Sequence, residues 1–398
     1  MLRTLYQKLL RINLSESQAQ TLELLVLMLQ SYRQVRLSTL ANVFPQPIQY
    51  SSRLRNIQRF LKLPQLSAKL LWFPIIKAAL KSEFREKHLN REQRRKRSKF
   101  RLKTKNYVAV ALDRTQWRDR NLLMVTIIWG HHALPIYWEL LPKLGSSSFR
   151  EQKRVLGPVL ALLKPYPVVV IGDREFHSAQ LADWLRVRGV NVVFRQKKSA
   201  FVATSCQPGK SLKTQGFKSG ESHFFKNVTL QKFAPIHGFN LGVYWQKIHR
   251  GKKVKKPWYL LTTLDNPKLV KQLYQARWGI EMMFRDCQSG GYNMESTRVD
   301  STRFLALVLL ITFAYWLATL GGHEWEANHL VAYLGRSEKT PNNFPHHSIF
   351  GLGLSGYAWS QSLVFWQEEM LALMALKPHK AHNFRQGLNA LSLVQQSV

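Results

Sequence analysis

Acidic residues are scarce in this chain. Its 398 residues hold 23 Asp and Glu against 59 Lys and Arg, a formal net charge of +36. A balance that lopsided points to a polyanionic partner, of which nucleic acid is the commonest. Cysteine is nearly absent. Cys206 and Cys287 stand alone, so neither a zinc-ligand spacing nor a disulfide framework is available. That usage suits a reducing cytoplasm. The start, Met1-Leu-Arg-Thr-Leu-Tyr, lacks the long apolar core of a secretory signal. A cytoplasmic, nucleoid-associated location is expected.

Long uncharged runs are rare too, with one exception at Phe304 to Gly322. It is flanked by Asp300 and Arg303 before and by His323, Glu324 and Glu326 after. A membrane span needs roughly 20 apolar residues, so the length is borderline. A helix apolar on every side belongs in a core or a bilayer. The expectation is a buried helix packed on a sheet, and no membrane partner.

What is present builds real cores. Hydrophobic residues make up 45% of the chain, with 12 tryptophans, which excludes a disordered basic tail. The length suggests two or three domains. Residues 1–92 read as a helical domain. Ser15 is a candidate cap for a first helix, Ser38 for a second, and Ser51 opens a third after the break at Pro45-Gln-Pro47. The third carries Arg53, Arg55 and Arg59 beside Leu54, Ile57 and Phe60. Two readings stand: a helix-turn-helix DNA reader, with those arginines on the DNA, or a helical bundle with a basic outer face. Residues 93–106 form a linker so rich in Lys and Arg that it is either solvated or laid along phosphates.

From 107 the periodicity becomes that of strands. Tyr107–Leu112, Leu122–Trp129 and Leu134–Leu140 are followed by a helix at 148–163, which Pro158 is expected to kink. Val168–Ile171, a helix at 178–188 and Val190–Phe194 come next. Three strands, helix, strand, helix, strand is the order of a ribonuclease H-like α/β domain, whose first and fourth strands are neighbours. Its first part is 107–196 and its second 258–322, and 323–398 is a basic C-terminal region. Residues 197–257 read as a β insertion whose basic stretch Lys247 to Lys256 suits either a hairpin reaching DNA or a solvated loop.

Three of the scarce acids occupy suggestive places. Asp113 and Asp173 each close an apolar strand, where open α/β sheets keep functional groups. Glu281 lies in a segment predicted as one helix over 267–287, capped by Asp265 or Asn266. At about 100° per residue Tyr274, Arg277, Glu281 and Gln288 share a stripe. A lone Asp at a strand end is often a turn former, and a Glu one turn after an Arg is often a surface ion pair. Together on a basic protein they suggest carboxylates holding two Mg²⁺ ions, for which Mn²⁺ can substitute, with Arg277 and Tyr274 on a phosphate.

Tyr274-x2-Arg277-x3-Glu281, Asp113-Arg-Thr115 and Ile171-Gly-Asp173 together resemble the Tyr-Arg-Glu-Lys signature of bacterial insertion-sequence transposases, the cut-and-paste Asp-Asp-Glu type. The resemblance implies catalytic, metal-holding Asp113, Asp173 and Glu281, and DNA contacts from Tyr274, Arg277 and position 288. It implies double-stranded DNA as partner, both terminal inverted repeats and target, a homodimer in the synaptic complex, hydrolytic cleavage and joining of the freed 3′-hydroxyl. Some members use a hairpin route that needs an aromatic for a flipped base; Trp245, Trp258 and Trp278 are candidates. The departure is Gln288, where the signature has Lys. Alternatives are a structure-specific nuclease or resolvase, and an inactive transposase-derived DNA-binding protein.

Overall fold

The structure is a computed structural model that describes residues 7–84, 107–204, 207–230, 235–249, 251–340, 343 and 345–397. The linker 93–106, Cys206 and part of the 197–257 insertion lie outside them. The described residues group into two compact units. One holds 7–78 with 285–397, and the other 79–84 with 107–284. Residues 7–78 thus group with 285–397.

After helical residues 7–10 comes α1 (Glu16–Tyr32), capped by Ser15 as expected. The Ser15 hydroxyl accepts from the Gln18 N–H at 3.3 Å, and the Gln18 side chain accepts from the Ser15 N–H at 3.0 Å. Next comes α2 (Leu37–Val43), and Ser38 does not cap it. Leu40 N–H already bonds the Arg36 carbonyl, so the helix starts earlier, with buried Leu37, Leu40 and Ala41 on its inner face. Residues 44–49 then lead to α3 (Tyr50–Phe60). That connection is longer than the roughly 3–4 residues of a helix-turn-helix turn, because residues preceding Pro45 and Pro47 are held extended. α4 (Phe73–Phe84) follows.

The second unit is built on a ten-stranded sheet. β1 (Val108–Trp117), β2 (Arg120–Trp129) and β3 (His132–Leu141) form a meander. α5 (Phe149–Leu163), β4 (Val168–Gly172), α6 (Ala179–Arg186) and β5 (Asn191–Arg195) follow. α5 runs through Pro158 without a break. The residue before a proline is normally kept from helix by its own Cβ, and Gly157 has none. β6 (Phe201–Thr204), β7 (Gln207–Ser211), β8 (Ser222–Leu230) and β9 (Ile236–Tyr244) belong to the 197–257 segment. They are not a separate sheet, because β12 (Trp258–Thr262) pairs with both β5 and β9 and carries the main sheet into them. The hairpin expected in the basic stretch forms as β10 (Ile248–His249) and β11 (Lys252–Lys253).

The strand order β3-β2-β1-β4-β5 places β1 beside β4, parallel, with the paired register ending at Leu112 and Gly172. β1 does not stop at Leu112: it continues against β2 as far as Trp117. Asp113 thus lies within a strand, one residue past its pairing with β4. The segment 267–287 is two helices, α7 (Pro267–Ala276) and α8 (Trp278–Cys287), not one. Asn266, rather than Asp265, caps α7.

Back in the first unit, α9 (Ser301–Ala327) is long and apolar enough to cross a membrane, with a mean hydropathy of 2.1, and 83% of that window is buried. It packs on helices, α1 and α11 (Ile349–Phe365; α10 is Val331–Leu334), not on a sheet. A polar clasp fixes α1 to it. Buried Gln30 donates to the Ala314 carbonyl at 2.6 Å and accepts from the Tyr292 hydroxyl at 3.2 Å. The chain closes with α12 (Gln367–Ala375) and α13 (Ala381–Ser397).

One glycine is required where β4 ends. A Cβ on Gly172 would lie 2.7 Å from the Cβ of Phe176, which is packed beneath the strand. Gly172→Ala is expected to destabilise the fold by about 1–3 kcal/mol, read as a lower midpoint in urea with unchanged slope.

Candidate active site

The parallel pairing of β1 and β4 decides the site. Both strands run the same way, so the residues just after Leu112 and Gly172 emerge together. These are Asp113 and Asp173. Asp173 also caps a short 3₁₀ turn at Arg174–Phe176, its Oδ1 accepting from Glu175 N–H at 2.7 Å. Asp113 Oδ1 accepts from Arg114 N–H at 2.8 Å.

The junction of α7 and α8 supplies the third acid. Arg277 sits between the helices, its N–H bonded to the Tyr274 carbonyl three residues back. Gly279 has only 3.1 Å from an ideal Cβ to the His131 carbonyl, so a small residue lets α8 approach the β2–β3 turn. Arg277 Nη1 then donates to Asp113 Oδ2 at 2.9 Å, and Nη2 is hydrogen-bonded to Glu281 Oε1. The guanidinium and the Asp113 carboxylate are mostly buried, and Glu281 is about a third exposed.

The Asp113 carboxyl is pushed up to about 6, chiefly by burial; Arg277 and the Arg114 N–H oppose this, while the charges of Asp173 and Glu281 add to it. The Asp113 carboxyl therefore feels both of the other acids. They are not drawn into a closed cage: among the described residues no three His, Cys, Asp or Glu are grouped as a metal site. Arg277 occupies the position of a cation between two of them. Hard carboxylate oxygens with an internal cation already among them fit a divalent magnesium-type ion in donor chemistry.

Tyr274 is buried instead of being presented on an open stripe. Its ring meets Trp258 edge to face at 5.0 Å, and the Arg277 guanidinium lies 5.7 Å from its centre. The Tyr274 hydroxyl and Arg277 Nε are buried without a partner among the described residues. Such orphans are costly to leave unmade, and a water or a bound ligand satisfies them. Gln288 falls one residue beyond the helix that carries Glu281. α8 ends at Cys287, and Gly290 N–H turns back onto the Arg285 carbonyl.

Beside Asp173 opens a cavity of about 880 Å³ bordered by Lys197, Lys198, Lys255, Lys256 and Trp245. Trp245 is fixed by its indole N–H on the Val254 carbonyl at 2.9 Å. Trp278 is exposed and Trp258 half-buried. On α3, Arg55 and Arg59 are exposed, and Arg53 is not. Arg53 falls on the face of Ile57 and Phe60 at 100° per residue, and its guanidinium donates to the Gln46 carbonyl at 3.5 Å. It secures the turn rather than facing solvent.

Sequence reasoning passed over Arg114 and Glu175. Arg114 Nε meets Glu175 Oε2 at 3.0 Å. The signal was available: Glu175 is a second acid two residues past Asp173 in a chain poor in acids.

Residues 150–317 match the family described as the transposase DDE domain. The match takes in Asp173, Arg277 and Glu281, and starts beyond Asp113; it covers less than half of the chain. No curated protein matches. A solved structure, a cryo-EM piggyBac transposase synaptic complex with hairpin DNA, is similar over 94% of this chain and 75% of that one, at 14% identity and a TM-score of 0.39. So loose a superposition carries no argument.

The raised Asp113 carboxyl has a consequence for stability. Its folded value near 6 exceeds the ordinary carboxylate value of 3.8, so the folded chain holds the proton more tightly. That contribution is fully present below about pH 4 and lost as pH rises through about 6. Asp113→Asn is expected to gain unfolding temperature relative to the parent between pH 4 and pH 7, and an unchanged difference across that window would contradict the burial.

Proposed function

We propose that the chain is an Asp-Asp-Glu transposase with a ribonuclease H-like catalytic unit, in which Asp113, Asp173 and Glu281 are the catalytic acids. The observation that carries this reading is the parallel pairing that sets Asp113 beside Asp173, with Arg277 linking Asp113 to Glu281. The transposase DDE domain match over 150–317 supports it independently, as does the net charge of +36.

The three acids would hold two Mg²⁺ ions, or Mn²⁺ in their place. When bound, such ions polarise the scissile phosphate and ease deprotonation of the attacking water or 3′-hydroxyl. The chain's own residues do the rest. Arg277, a planar fork of donors, binds a phosphate once DNA competes for it, and the buried Tyr274 ring beside the guanidinium steadies it rather than touching DNA itself. The lysines beside Asp173 hold the backbone of the strand, and exposed Arg55 and Arg59 add phosphate contacts. The substrates in this reading are the terminal inverted repeats of an insertion sequence and a target duplex. Two chains pair the two ends, and the protein works on the nucleoid in the cytoplasm.

The test is incubation of the protein with Mg²⁺ and DNA carrying candidate element ends. Strand cleavage followed by joined products is expected, falling by about 10³-fold or more when Asp113, Asp173 or Glu281 is neutralised singly. Cleavage without joined products would instead indicate a nuclease. DNA binding that survives Asp113→Ala, with no Mg²⁺-dependent breaks in the parent, would indicate a non-catalytic DNA-binding protein.

A further inference from the structure

Two hydrogen bonds orient the paired aspartates, and both come from the backbone. Asp113 Oδ1 accepts from the N–H of Arg114, and Asp173 Oδ1 from the N–H of Glu175. The side chains of those same two residues are joined to each other. Arg114 Nε lies 3.0 Å from Glu175 Oε2, with the two side chains 21% and 15% exposed. The four residues form one chain of contacts from the first carboxylate to the second: carboxylate, N–H, ion pair, N–H, carboxylate.

The chain of contacts is anchored on two further segments, β2 and the loop before α5. Glu175 Oε1 accepts from the Ser147 N–H at 2.9 Å and from its hydroxyl at 2.8 Å. Arg114 Nη1 donates to Asn121 Oδ1 at 3.0 Å, and Asn121 in turn donates to the carbonyls of Lys143 and Gly145. Strands β1 and β2, the turn after β4 and the loop before α5 are thus tied into one polar network. A fully connected network in a poorly solvated place fixes geometry more tightly than its separate bonds do.

We propose that Glu175, acting through Arg114, is a positioning residue that holds the Asp113 and Asp173 carboxylates in the mutual orientation needed to share divalent ions. This rests on the reading of the two aspartates as ion-holding groups. Glu175 is itself engaged with Arg114 and Ser147 and is not assigned as a ligand. Arg114 takes no part in phosphate binding in this account, since its guanidinium is spent on Glu175 and Asn121.

The experiment uses the full chain and Mn²⁺ as probe, followed by calorimetry and by Mg²⁺-dependent DNA cleavage. Glu175→Gln keeps an acceptor for Ser147 and removes the ion pair. It is expected to lose about tenfold or more in Mn²⁺ affinity and in cleavage at saturating DNA, with KM for DNA unchanged, as supporting partners of metal ligands commonly do. Arg114→Gln is expected to show the same loss in Mn²⁺ affinity, and the double variant to be no worse than the weaker single, because both remove one link. Parent-like Mn²⁺ affinity in Glu175→Gln, or losses that multiply in the double variant, would overturn the proposal. If Glu175→Gln does not fold, Ser147→Ala, which removes one hydrogen bond to the Glu175 carboxylate, must still weaken Mn²⁺ binding; parent-like binding overturns the idea equally. Asp113→Asn separates the two levels. If it binds Mn²⁺ as the parent does, the ion-holding reading fails; if it loses binding while Glu175→Gln keeps it, only the positioning role fails.

Discussion

A guanidinium held between carboxylates governs the end of the sheet where the three acids gather. Arg277 bonds Asp113 and Glu281 at once, from a point where two helices meet and most water is excluded. Burying one carboxylate near two others is unfavourable, as the displaced Asp113 carboxyl shows. The arginine offsets that cost, and removing one partner of such a buried pair leaves an uncompensated charge. The join between α7 and α8, the tight contact at Gly279 and the burial of Tyr274 all serve to bring this one side chain to the end of β1.

The sheet supplies the other half of the constraint. Parallel pairing of β1 with β4 delivers Asp113 and Asp173 to one place without any long loop. The Arg114–Glu175 pair then locks the two backbone donors that orient them. The site is therefore supported from two directions: by the sheet and its turn network beneath the aspartates, and by a helix junction that carries Arg277 and Glu281. Basic side chains from β5 onward border the cavity beside Asp173, which matches the charge that dominates the whole chain.

Much of this was legible in the sequence, for identifiable reasons. Apolar runs bounded by Pro, Gly and Asp marked the strands, and their order alone implied that β1 and β4 are neighbours. Capping chemistry marked Ser15 and narrowed the start of α7 to Asp265 or Asn266, of which the structure uses the second. Other features depended on contacts between distant segments. The extension of β1 to Trp117 is set by pairing with β2, and no local signal in Asp113-Arg-Thr115 reports it. The interruption at Arg277 lies in a run with good helical periodicity. α9 has no polar face, so its pattern could not say whether a sheet or other helices would cover it. Arg53 is different: its angle relative to Ile57 and Phe60 already placed it on the inner face of α3, and grouping it with Arg55 and Arg59 by charge overlooked that.

The most direct measurement is a crystal structure of the full chain grown with Mn²⁺, located by its anomalous scattering. The account predicts manganese at the Asp113 and Asp173 carboxylates with Arg277 released from Asp113. Manganese absent from these carboxylates at millimolar concentration, with the Arg277 bonds to Asp113 and Glu281 intact, would contradict it.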